Sequence, residues 1–155
     1  MVTIAVFVIL ASMAVPSLQS WVARTGMQTL QQDFQGAMTR ARSEALARNT
    51  CVSLCQLKAD STSVCETTAA NSGQWHKGWI IFENAACESP TANDYAPPAT
   101  SVLAVRQPGN SRFQLNDSSN SGRAYFTYNA SGLLRGQNDS LVLTDARNAV
   151  SPFAR

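Results

Sequence analysis

The sequence predicts an α+β protein, with one long N-terminal helix packed on a C-terminal antiparallel β-sheet domain. Three observations point there. Residues 17–48 are rich in helix formers and carry an apolar stripe at helical spacing. From residue 50 onward, short β-rich runs alternate with clusters of Ser, Asn, Gly and Pro. Four cysteines gather at the start of that second region. A chain of 155 residues has room for one domain and one appendage.

Met1 to Val15 reads MVTIAVFVILASMAV, with no charged residue, and Pro16 follows. A helix crossing a bilayer core needs about 20 apolar residues, and a shorter run is more often a buried helix or a signal-peptide core. A cleaved signal carries a basic segment ahead of its apolar run, and none precedes this one, although Ala11-Ser12-Met13-Ala14 resembles a weak cleavage site. An ordinary core helix shows polar residues recurring on one face, and these are missing as well. The remaining reading makes the run the membrane- or partner-embedded start of a longer helix. Val6, Phe7, Ile9, Leu10 and Pro16 then form its interface. Proline bends a helix axis, and apolar surroundings with neighbouring helices absorb the kink.

From Ser17 to Arg48 the helix pattern continues without proline. Leu30, Phe34, Ala37, Ala41 and Ala45 form one stripe, bulky at its start and small at its end, so its last turns suit close packing on a sheet. Gln32, Asp33, Thr39, Arg40 and Ser43 lie opposite. Arg40, Arg42 and Arg48 crowd the C-terminal end, where cations suit the helix dipole, and Asn49-Thr50 supplies the stop. One helix over 1–48 runs about 70 Å at 1.5 Å per residue, more than a domain of this size buries. Residues 1–25 are therefore expected in a membrane or filament core, 26–48 as the amphipathic half packed on the head, and 49–155 as the β-rich globular domain.

Within that domain the candidate strands are 50–56, 62–67, 78–83, 101–107, 112–116, 123–128 and 140–145. Turn signals separate them at 69–73, 89–100, 108–110, 116–122 and 129–132. Trp79-Ile-Ile-Phe82 is apolar on both faces and suits a central strand covered by the helix on one side. The even, clustered cysteines suggest disulfides in an oxidising compartment, with three possible pairings. Cys55 and Cys65 fall on consecutive candidate strands, which favours that pair and leaves Cys51–Cys87 by elimination. Their spacings supply no C-x-x-C pair for zinc.

Enzymatic chemistry finds little foothold. Phosphate-loop, dinucleotide and zinc-protease motifs are missing, and the one histidine, His76, has no histidine partner in the chain. It reads as a loop or strand-edge residue, and Trp75 and Trp79 as packing anchors. No cofactor, metal or small-molecule substrate is expected. The net charge of +2 is too small to imply a nucleic-acid partner, yet residues 101–155 hold six basic residues against three acidic ones. Arg106, Arg112, Arg123, Arg135 and Arg147 are the candidate contacts for duplex DNA. A scattered, solvated set of arginines is the favoured alternative. Asn116, Asn129 and Asn138 each open an Asn-x-Ser triplet and read as exposed turns.

Together these residues resemble a family. MVTIAVFVILASMAVPSLQSWV looks like the N-terminus of type IV pilins and pseudopilins, entered at the seventh mature residue, with Pro16 at the helix-kinking proline. Residues 40–49 (RARSEALARN), 75–82 (WHKGWIIF) and 126–132 (FTYNASG) are similar to the FimT/FimU minor pilins and the GspH pseudopilin. The resemblance implies a pilin fold and a non-catalytic filament subunit. It implies a single-pass helix in the bacterial inner membrane, a periplasmic head, and other pilins as partners through the helix. Assembly priming at a type IV pilus tip is the expected role. A type II secretion pseudopilin and a DNA-binding pilin for transformation are the alternatives. The family's peptidase site, its acidic residue near the mature N-terminus, and the last strand with a basic Gly-Arg-x-Arg tail have no counterpart in the sequence as written. Because that acidic residue sets register against a neighbour's N-terminal amine, poor assembly is expected of the chain as written.

Overall fold

The structure, a computed structural model, describes residues 2–68, 72–90, 95–118, 123–136 and 140–147, with side chains from residue 19 onward. Helix α1 spans Val2–Arg48 in one continuous run. The interface set Val6, Phe7, Ile9, Leu10 and Pro16 lies on it where side chains are outside the described residues. The buried stripe starts at Ala23 and Met27, then continues through Leu30, Phe34, Ala37, Ala41 and Ala45, at the spacing seen in the sequence. Asn49 ends the helix in the left-handed conformation (φ 51°), donating to the Leu46 carbonyl while Thr50 donates to that of Ala45. Those two bonds satisfy carbonyls that a helix end otherwise leaves unpaired.

The strands are β1 (Val52–Gln56), β2 (Trp79–Glu83), β3 (Val102–Arg106), β4 (Phe113–Asp117), β5 (Tyr125–Tyr128), β6 (Leu134–Arg135) and β7 (Leu141–Asp145). They form two antiparallel sheets: a five-stranded one in the order β3-β2-β1-β5-β6, and the pair β4-β7. The middle strand is β1, and the more apolar β2 lies beside it. On the helix side, Val52, Leu54, Trp79, Ile81 and Phe126 meet the stripe of α1. Phe34 stands edge-on to Trp75 and Trp79 at 5.2 and 5.3 Å between ring centroids, a favourable aromatic arrangement. Trp75 is fully buried and Trp79 is 3% exposed, so both anchor the core.

The other face of the large sheet is covered by loops. Cys55, Ile80 and Phe82 pack there with Leu57 and Cys65, and Tyr95, Val102 and Tyr125 close over them. Disulfides Cys51–Cys87 and Cys55–Cys65 tie those loops to β1, with Cα atoms 5.3 and 5.6 Å apart. A buried polar chain lies beside them, in which Asn84 Nδ2 donates to Ser53 Oγ, itself 2.8 Å from Thr127 Oγ1.

The structure corrects several expectations. Residues 62–67 do not form a strand; Cys65 makes only an isolated bridge to Leu57. Ser61 Oγ accepts from the Ser63 and Val64 N–H groups, and this local bonding replaces a ladder. The two-residue β6 was not visible in the sequence, nor was the division of the strands between two sheets. Asn116 sits on β4 with its Oδ1 buried, so it is no exposed turn. Asn129 does form a turn, its Oδ1 accepting from the Ser131 and Leu133 N–H groups, while Asn138 lies outside the described residues.

Candidate functional site

Two features bear on function: the exposed apolar residues of α1 beside its buried stripe, and the positions of the arginines. Immediately before the buried stripe, Trp21 is 64% exposed and Val22 46% exposed. Among the described residues no helix is long and apolar enough to cross a membrane, and the apolar run of residues 1–15 precedes the described side chains.

The smaller sheet reaches α1 through Phe113. A Cβ on Gly26 would overlap the Phe113 ring, so glycine makes the notch that seats β4 on the helix. Gly36, ten residues on, has nothing within 4 Å of where its Cβ would stand. A strap over 73–78 joins the two sheets. Gln74 bridges to Asn116 and donates its N–H to Gln56 Oε1, and Asp117 donates to the Gly73 carbonyl. Gly73 (φ 83°) and Gly78 (φ 103°) make the strap possible. His76 rides on it, half-buried, and burial holds its pKa below the ordinary value.

The arginines singled out from the sequence fall in three places. Arg106 ends β3, one edge of the large sheet, where its Nε and Nη2 both lie 3.2 Å from Asp33 Oδ2 and its guanidinium stacks 4.6 Å from the Trp79 ring centroid. Arg112 grips Asp145 through Nε and Nη2 (2.9 Å to Oδ2) at the smaller sheet, and the Arg147 N–H donates to the same carboxylate. Hydrogen bonding from Arg112 holds the Asp145 carboxyl below the usual carboxylate range. Arg135 belongs to β6, the opposite edge of the large sheet, and donates to the Cys87 carbonyl; Arg123 lies over Phe126 next to that edge. Arg112 and Arg147 converge on one acid, while Arg106 and Arg135 sit at opposite sheet edges. At the end of α1, Arg48 pairs with Glu44 (2.8 Å) and reaches Glu83 (3.4 Å), tying helix to β2.

Sequence reasoning missed the notch at Gly26, the opening at Gly36 and the Asp33–Arg106 and Arg112–Asp145 pairs. The glycines did carry a signal, since two in the proline-free half of a long helix each cost about 1 kcal/mol relative to alanine. The ion pairs span 73 and 33 residues of sequence and carried none.

Comparison with known proteins supplies the family. Residues 30–152 match the family model described as type II transport protein GspH. The fold is similar to that of the type IV minor pilin FimU of Pseudomonas aeruginosa (strain PAO1). One crystal form gives a TM-score of 0.54 at 16% identity, covering 81% of this chain and 76% of FimU; another gives 0.50 at 16%, covering 76% and 74%. No curated protein matches the sequence. With the family match running from mid-helix almost to the C-terminus, and an α+β pilin fold of helix on antiparallel sheet shared with FimU, the protein belongs to the GspH family of pilin-like minor pilins and pseudopilins.

Proposed function

We propose that this chain is a minor pilin of the FimT/FimU kind, a non-catalytic subunit that helps prime assembly at the tip of a bacterial type IV pilus. The observation that carries the reading is the mismatch between helix and head. Helix α1 is 47 residues long, about 70 Å at 1.5 Å per residue and more than a head of this size covers, and among the described side chains its first buried residue is Ala23. Such a helix needs another apolar environment. The thirteen apolar side chains of residues 1–15, left in water, cost on the order of 20 kcal/mol at roughly 1.5 kcal/mol each. The inner membrane supplies that environment first, with the disulfide-bonded head in the periplasm, where cysteines oxidise. Helices of neighbouring pilins then replace the lipid in the filament. Residues 1–25, with Val6, Phe7, Ile9, Leu10 and Pro16, are the transferable interface.

A second reading, a pseudopilin of type II secretion, is supported by the family description of residues 30–152 as a type II transport protein. Deleting the gene in its host separates the two. Loss of surface pili with exoprotein secretion intact is expected; normal piliation with failed secretion overturns the pilus reading in favour of the pseudopilin. The DNA-binding reading rests on Arg106, Arg112, Arg123, Arg135 and Arg147. It requires that the chain retard duplex DNA at low salt and release it steeply as salt rises. No shift at low salt removes it.

A further inference from the structure

We propose that the groove between α1 and the edge strand β3 seats an extended, acidic segment of a partner protein, with a carboxylate held at Arg40 and Arg106. The groove encloses about 340 Å³ between Asp33, Gly36 and Arg40 on the helix and Ala104 to Arg106 on the strand, with Trp79 and Ile81 at its base. Three features of the groove lead to this occupant.

First, the opening is kept by a glycine that the head itself does not need. Gly36 meets no atom within 4 Å of its missing Cβ, and its backbone freedom is unused inside a regular helix. Gly26 is explained by Phe113; Gly36 is explained by something approaching from outside. Second, the strand wall is an edge. β3 is paired with β2 on one side, and no described strand pairs with its other side. Val105, on that edge, is 40% exposed. An extended segment is what a bare sheet edge recruits, through its backbone groups. Third, the rim is short of negative charge. Asp33 is shared by the Nε and Nη2 of Arg106, whose Nη1 is buried without an acceptor. Arg40 donates to the Leu103 carbonyl and has no carboxylate partner among the described residues. Two guanidiniums against one carboxylate complement an acidic side chain, for which arginine's forked donors are suited.

The inference is independent of which filament system the protein serves, and the test keeps the two apart. A photocrosslinking amino acid is placed at Val105 in the full chain, expressed in its native host, and the crosslinked peptide is mapped by mass spectrometry. The expected result is attachment to an extended segment bearing Asp or Glu in a different protein. Yield should drop about tenfold with Arg40→Glu or Gly36→Leu, and by less with Arg40→Lys, which keeps the charge and loses the fork. The thermal midpoint of each variant is measured alongside, and Gly36→Ala, which fills the floor least, reports on folding alone. Attachment to a second copy of this chain, to a helix or to nucleic acid overturns the proposal. So does a yield indifferent to Arg40→Glu in a folded variant, or no crosslink from a chain that still enters sheared surface filaments. A crosslink of the expected kind from a chain that enters no filament upholds the groove and overturns the filament reading.

Discussion

Gly26 and Gly36 lie in the same helix and answer alanine substitution in opposite ways. At Gly26 the new methyl meets the Phe113 ring, and the gain in helix propensity is outweighed by overpacking. Gly26→Ala is expected to lose about 1–2 kcal/mol of stability, lowering the thermal midpoint of the purified chain. At Gly36 the methyl enters open space, and Gly36→Ala should gain about 0.5–1 kcal/mol, raising the midpoint by a few degrees. If both move the midpoint the same way, the notch is wrongly assigned. Protonation offers a second residue-scale test. His76 sits against Leu115 and Asn116 of β4, its Nδ1 buried without a partner, and burial depresses its pKa. The unfolded chain therefore binds the proton first as pH drops past about 6.5, and stability declines from there to the lower folded value. Urea midpoints should drop between pH 7 and pH 5, and His76→Gln should flatten that slope. Asp145, with its pKa lowered by Arg112, contributes stability above its ordinary value of about 4 that is lost as pH falls through its lower folded value. An Asp145→Asn chain whose midpoints keep the steep loss below pH 4 would refute the role given to that pair.

At the scale of elements, the far face of the large sheet depends on its covalent ties more than the helix face does. The helix side is closed by a packed stripe and an aromatic cluster, whereas Ile80 and Phe82 are covered by loops held through Cys51–Cys87 and Cys55–Cys65. Removing Cys55–Cys65 by a double Ser substitution is expected to cost about 3 kcal/mol from the entropy of its 10-residue loop. Hydrogen exchange should then rise in β1 and β2 and stay unchanged in α1 near Ala41 and Ala45. Uniform loss of protection would show that the faces are not separable. The sequence suggested the Cys55–Cys65 pair from two consecutive strands, but the second of those strands does not exist. Ser61 turns the chain back on itself, and the Cys65 N–H finds the Tyr95 carbonyl, 30 residues downstream by sequence number. Propensity read Thr62–Thr67 as β because three of its six residues, Thr62, Val64 and Thr67, are β-branched. Hydroxyl-to-backbone bonding, invisible to periodicity, took precedence. β6 escaped for a different reason: two residues are too short for any period to show.

For the whole molecule, the proposed division of α1 into a head-packed part and a partner-facing part makes a direct prediction. A chain starting at residue 23 retains every α1 residue that is buried among the described ones, so its thermal midpoint should stay within about 2 °C of the full chain's, while vesicle binding is lost. A truncated chain that unfolds, or that still sediments with vesicles, contradicts that division. The sequence by itself determined the long helix, its buried stripe and its stop at Asn49. Each of these is written in local spacing and capping chemistry that near neighbours in the chain enforce. It also determined that β structure begins after residue 50 and that Trp75 and Trp79 are core. Only tertiary structure decided that the strands divide into two sheets, that Gly26 receives Phe113, and that the arginines disperse to Asp33, Asp145 and opposite sheet edges. Those choices depend on which distant segments meet, and a charge or a missing Cβ carries no record in sequence of the partner it will face.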